Sequence, residues 1–123
     1  MKLLVDTQAV IWWLAADQRL SVSAQAAISR AGVAAAVSAA SIWEASIKRA
    51  SGRLTGPDLL GAVTAAGLPF LKINEHHAKL AGELPFIHRD PFDRMLVAQA
   101  MLEQLVIVTS DAEIPRYGVP VVW

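Results

Sequence analysis

Short apolar runs alternate with longer stretches of helical period along the 123-residue chain. Leu3-Leu4-Val5 is a continuous apolar run of the kind a strand buried on both faces requires. Asp6-Thr7 can then cap a helix through Trp12, Trp13 and Leu14. Val33 to Val37 is a second strand candidate, weak by propensity because its centre is alanine. From Ser38 to Ser51 the period is helical, with Trp43, Ile47 and Ala50 on one face and Ser41, Glu44 and Lys48 on another. Gly56-Pro57 opens a helix over Pro57 to Ala66, stopped by Gly67 and Pro69, and Phe70 to Ile73 is a third strand candidate. Glu75 to Leu84 reads as a short helix. The clearest helix runs from Pro91 to about Gln104, with Asp90 as N-cap and Pro91 at its first position. Leu105 to Thr109 is the strongest strand, and Val119 to Val122 supplies a last one. Strands separated by helices predict an α/β fold, a parallel sheet with helices on both faces.

Composition narrows the chemistry. There is no cysteine, which excludes disulfides, thiolate metal sites and cysteine nucleophiles. Eleven basic residues balance eleven acidic ones, so any contact with nucleic acid must come from a local basic stripe. Apolar residues make up 54% and charged residues 18%, a surplus that suits a surface hidden in a partner. The uncharged stretch from Ala31 to Trp43 falls short of the ~20 residues of a spanning helix. Asp6 interrupts the first apolar run too early for a signal peptide. Without repeats, charge blocks or linkers, residues 1–123 read as a single domain with a cytoplasmic location and no membrane contact.

Open parallel sheets place their functional crevice at the carboxyl ends of the strands. Asp6 follows the first predicted strand and Asp111 the fourth, after Thr109-Ser110. Glu44 lies about a turn into the helix after the second strand, and Asp93 in the first turn of the Pro91 helix. Each has an ordinary structural reading. Asp6 suits a helix start, Glu44 can pair with Lys48 at i,i+4, Asp93 can join the Asp90 cap, and Asp111 can cap a turn. Asp90 is fully explained as a cap. Four carboxylates converging on one edge, however, would repel by roughly 4 kcal/mol per pair at 4 Å and an effective dielectric of 20. A cluster rich in oxygen, free of sulfur and nearly free of histidine is what Mg²⁺ or Mn²⁺ prefers. Such an ion can generate hydroxide from water and neutralise charge developing on a phosphodiester.

The ordered blocks Leu3-Leu4-Val5-Asp6-Thr7-Gln8-Ala9 with Trp12-Trp13-Leu14, Ser38-Ala39-Ala40-Ser41-Ile42-Trp43-Glu44-Ala45-Ser46-Ile47-Lys48, His88-Arg89-Asp90-Pro91-Phe92-Asp93-Arg94-Met95-Leu96 and Val108-Thr109-Ser110-Asp111 carry a family resemblance. With Leu84-Pro85 and Val121-Val122-Trp123 they span nearly the whole chain, which resembles the PIN-domain ribonucleases, specifically the VapC-type toxins of toxin–antitoxin pairs. The resemblance implies a PIN-like three-layer sandwich with a five-stranded parallel sheet of order 3-2-1-4-5. It also implies a divalent-metal-dependent endoribonuclease that hydrolyses RNA with Mg²⁺ or Mn²⁺, acts as a homodimer and is held inactive by a VapB-type antitoxin. The family's acidic metal-binding and catalytic set carries over to Asp6, Glu44, Asp93 and Asp111, and Thr109 or Ser110 resembles its small hydroxyl residue. Two positions depart from the pattern. Gln8 stands where relatives of this subgroup usually have histidine, and Ile114 lies where an aromatic commonly follows the fourth acid.

Among the remaining groups, Lys48 and Arg94 are candidate RNA-backbone contacts beside the acids, while Arg49 and Arg53 read as a solvated helix face. His76 and His77 read as surface or helix packing, and His88 as a loop contact. Trp12 and Trp13 are adjacent and cannot both face one core, which points one of them towards a dimer or antitoxin interface. Two rivals stand beside the enzyme. One is a catalytically silent PIN-like module acting through a protein partner, against which the presence of all four acids weighs. The other is a signalling receiver domain, which needs a phospho-accepting Asp after the third strand, where the chain has Asn74-Glu75.

Overall fold

A computed structural model of the chain describes residues 2–31 and 34–123. Five parallel strands, β1 (Leu3–Val5), β2 (Ala35–Ser38), β3 (Phe70–Leu71), β4 (Val106–Val108) and β5 (Val121–Val122), form one sheet in the order 3-2-1-4-5. β1 is central: Leu3, Leu4 and Val5 pair with Ala35, Ala36 and Val37 on one side and with Val106, Ile107 and Val108 on the other. The expected fold class and strand order hold.

Six α-helices cover the sheet: α1 (Thr7–Leu14), α2 (Val22–Ala31), α3 (Ala39–Ala50), α4 (Leu59–Ala66), α5 (Glu75–Glu83) and α6 (Pro91–Glu103). The period-2 alternation of β1 divides the interior into two layers. Leu3 and Val5 meet Val10, Ala24, Ile28, Ala45 and Val63 from α1–α4. Leu4 and Ile107 point the other way, onto Leu96, Val97 and Ala100 of α6 and onto Ile114 of a short 3-10 helix, Ile114–Tyr117. Ile114 is fully buried.

Three local expectations change. The second strand is shifted to Ala35–Ser38, and Val33 lies outside the described residues. α2 has no counterpart in the sequence reading, because its core-facing row is thin: only Ala24 and Ile28 are buried, and Ser21 caps it by accepting from the Ala24 amide at 3.0 Å. α3 buries Ser41, Glu44 and Ala45 and leaves Trp43 63% exposed, so the apolar face of this helix is the one turned outward. Trp43 packs edge-on against Phe92 of α6, with ring centroids 5.1 Å apart. Trp12 and Trp13 are both half-buried against the core, Trp12 beside Trp123 and Trp13 donating to Ser29 Oγ at 3.3 Å. No described helix is long and apolar enough to cross a membrane.

Candidate functional site

Each acid is delivered by an element that begins or ends at the carboxyl edge of the sheet. β1 runs into Asp6, the N-cap of α1, whose Oδ1 accepts from the Ala9 amide at 2.7 Å. β2 runs into Ser38, the N-cap of α3, and Glu44 follows on the buried side of that helix. α6 starts on Asp90, whose Oδ1 accepts from the amides of Phe92 at 2.8 Å and Asp93 at 3.3 Å, and this sets Asp93 in the first turn. After β4, the Thr109 hydroxyl accepts from the Asp111 amide at 3.0 Å, while Asp111 Oδ1 accepts from the Glu113 amide at 2.9 Å. Asp6, Glu44, Asp93 and Asp111 line one cleft of about 490 Å³, flanking the point where the strand order reverses between β1 and β4.

The cleft is electrostatically unbalanced. Burial pushes the Asp93 carboxyl up to about 7, reinforced by the charges of Asp90, Asp111 and Asp6 and opposed by His88. Burial also raises Asp6, with Glu44 and Asp111 adding to the effect and the Thr109 hydroxyl and Ala9 amide working against it. Glu44 has a cationic partner of its own: its Oε2 accepts from Lys48 Nζ at 2.9 Å. The i,i+4 pair expected from the sequence therefore exists, but its carboxylate is buried in the cleft wall and not solvated.

Other candidates divide. Ser110 lines the cleft and is exposed, whereas Thr109 is buried behind it. Lys48 lines the cleft, as do Gln8 and Arg53. Arg53 is exposed, as expected from the sequence, and also lines the cleft, while Arg49 lies elsewhere. Arg94 departs from its expected place beside the acids. Its guanidinium is buried and donates to the carbonyls of Ala81, Leu84 and Pro85 at 2.9–3.0 Å, over the ring of Phe86, so it anchors a loop and does not line the cleft.

His88 is the residue the sequence reading undervalued. Its Nε2 lies 2.8 Å from Asp111 Oδ2 and 3.1 Å from Asp93 Oδ2. Burial disfavours its charged form, but the hydrogen bond to Asp111 and the charges of Asp93, Asp111 and Asp90 prevail and raise its pKa. No spacing signal marks it in the sequence, because only the folded loop before α6 brings it over Asp93 and Asp111.

The PIN domain family profile matches residues 3–120. No curated protein matches the chain in sequence. Three solved structures share the fold at low identity. A VapBC complex from Salmonella typhimurium bound to DNA has a TM-score of 0.71 at 18% identity, covering 98% of this chain and 96% of that one. A toxin–antitoxin complex from Klebsiella pneumoniae has a TM-score of 0.69 at 19% identity, covering 99% and 97%. VapBC2 from Rickettsia felis, bound to a DNA fragment from its promoter, has a TM-score of 0.68 at 12% identity, covering 98% and 97%. With a family match over almost its whole length and four acids around one sheet-edge cleft, the chain belongs to the PIN domain family.

Proposed function

We propose that this chain is the toxin of a type II toxin–antitoxin pair: a divalent-metal-dependent endoribonuclease that acts as a homodimer and is restrained by a cognate VapB-type antitoxin. The observation that carries this reading is the convergence of Asp6, Glu44, Asp93 and Asp111 on one cleft whose acids are left short of positive charge. Asp93 stands furthest from its ordinary range, at about 7, a penalty that a bound cation would relieve. The donor set is carboxylate oxygen, which fits Mg²⁺ or Mn²⁺. Asp93 and Asp111, close enough to share one histidine, with Asp6 and Glu44 across the cleft, would hold the ion. When bound, it supplies Lewis-acid stabilisation of phosphodiester charge and a water of lowered pKa.

The chain's own residues do the rest. Lys48 and Arg53 line the cleft and can draw an RNA phosphate towards the acids, with Ser110 and Gln8 as hydrogen-bonding groups at its surface. Thr109 holds the Asp111 backbone and favours the charged form of Asp6. Similarity to solved toxin–antitoxin complexes supports the partner assignment.

The test is cleavage of a total RNA pool by protein freed of any co-purifying partner, with Mg²⁺, Mn²⁺ or EDTA, beside Asp93→Asn. Discrete metal-dependent fragments that the variant fails to make are the expected result. Equal cleavage by Asp93→Asn, or none by folded, metal-loaded wild type, would turn the reading towards an interaction module.

A further inference from the structure

His88 occupies the same triangle as Asp93 and Asp111, with one atom from each of the three lying within 4.8 Å of the others. A histidine in such a triangle can do one of two things. It can ligate a cation through Nε2, or it can donate an N–H to the acids that do.

The ring's other nitrogen decides between them. Nδ1 accepts from the backbone amide of Asp90 at 3.2 Å, which places the proton of the neutral imidazole on Nε2. A ligating histidine shows the reverse pattern, donating from its second nitrogen to a carboxylate or carbonyl. Here the second nitrogen is occupied as an acceptor, and Nε2 points its hydrogen at Asp111 Oδ2, 2.8 Å away, with Asp93 Oδ2 beside it at 3.1 Å.

The mounting of the ring is built to hold that orientation. The His88 amide donates to Tyr117 Oη at 2.8 Å. Asp90, whose amide fixes the tautomer, is itself locked as the cap of α6. Arg94 ties down the chain before it through the carbonyls of Ala81, Leu84 and Pro85. A single donor set between two carboxylates eases their mutual repulsion and fixes their rotamers.

We propose that His88 is a positioning residue that donates from Nε2 to the Asp111 carboxylate, with Asp93 Oδ2 held 3.1 Å away, outside the coordination shell, and so orders the oxygens these acids present to a cation. This rests on the reading of the cleft as a metal site.

The test is Mn²⁺ binding to the full chain, by calorimetry and by electron paramagnetic resonance, for wild type, Asp93→Asn, His88→Ala and His88→Gln. Glutamine is included because its terminal amide can offer an N–H where Nε2 stands. His88→Ala is expected to weaken Mn²⁺ by about tenfold to a hundredfold, the usual effect of losing such an outer partner, and His88→Gln to recover most of it. Echo-modulation spectra of Mn²⁺-loaded wild type are expected to show no directly coordinated histidine nitrogen.

A directly coordinated nitrogen overturns the proposal in favour of ligation. Unchanged Mn²⁺ affinity in folded His88→Ala, with only a lower melting temperature, overturns it in favour of a plain loop contact. If His88→Ala does not fold, the glutamine variant and the wild-type spectrum still decide. Failure of wild type to bind Mn²⁺, or equal binding by Asp93→Asn, instead defeats the metal-site reading on which the proposal stands.

Discussion

At the scale of single residues, Asp93 carries the clearest measurable consequence. Its carboxyl stands near 7 in the fold, against about 3.8 in the unfolded chain. Between those two values the folded state keeps a proton that the unfolded state has lost, so this group makes stability fall as pH rises from about 4 to about 7. Asp93→Asn removes that slope. In urea unfolding with EDTA, the variant should match wild type near pH 4 and exceed it at pH 8 by on the order of 2 kcal/mol, below the full linkage because the cleft is open to water. Millimolar Mg²⁺ should close much of that gap, since the proposed site would take the ion in the wild-type fold and not in the variant. Parallel profiles for the two proteins would mean that Asp93 ionises without penalty. The four acids themselves were legible: Asp6 and Asp111 follow strands, Asp93 sits in the first turn of a helix and Glu44 lies inside the helix after β2, and only the sheet edge collects all four. His88 was not: its role depends on a loop folding back so that the Asp90 amide meets Nδ1, and no spacing rule encodes that contact. Arg94 failed for the complementary reason. A basic residue next to an acid reads as a substrate contact until the carbonyls that neutralise its donors become visible.

At the scale of elements, capping chemistry was the reliable signal and face assignment was not. Asp6, Ser38, Asp58, Asn74 and Asp90 each cap a helix with a side-chain oxygen, and the sequence marks Asp6 and Asp90 directly. Helix α3 broke the amphipathic expectation because its buried residues are small or polar: beside Ala40 and Ala45, Ser41 accepts from the Thr7 hydroxyl at 2.8 Å, and Glu44 forms the cleft wall. A helix that serves a site spends its inward face on chemistry, so periodicity alone points the wrong way. The end of α6 offers a cleaner case. Gln104 closes that helix at φ 56°, a left-handed conformation that disfavours a side chain and suits glycine. Its side chain is exposed and takes no hydrogen bond among the described residues. Gln104→Gly should therefore raise stability by about 0.5–1 kcal/mol, the released strain being partly offset by the greater freedom of glycine in the unfolded chain. Thermal unfolding checks it, and a lower midpoint would show that the glutamine makes contacts worth more than the strain.

At the scale of the whole molecule, the parallel order 3-2-1-4-5 does two separate things. It gathers the acids at the strand-order reversal, and it sets α3 beside α6 so that Trp43 and Phe92 meet on the outside. That second consequence bears on assembly. Trp43 is 63% exposed and Ile47 40%, on the same outward face of α3, next to an apolar hollow lined by Ala40, Ile73, Phe92 and Met95. Glu44 and Lys48 lie on the adjoining face of the same helix, turned into the cleft that Trp43 does not line, so a change at Trp43 alters this surface without entering the cleft. Burial of an exposed Trp side chain stabilises an interface by about 2–3 kcal/mol, and a carboxylate placed there must be desolvated without a partner. If the proposed homodimer uses this face, Trp43→Glu should shift the protein from dimer to monomer in sedimentation at micromolar concentration. It should leave Mn²⁺ affinity near the wild-type value, because no cleft residue has moved. A Trp43→Glu protein that stays dimeric would place self-association on another surface. A variant that becomes monomeric and also loses Mn²⁺ would show that the two sides of α3 are energetically coupled, and that the metal acids depend on the assembled pair for their alignment.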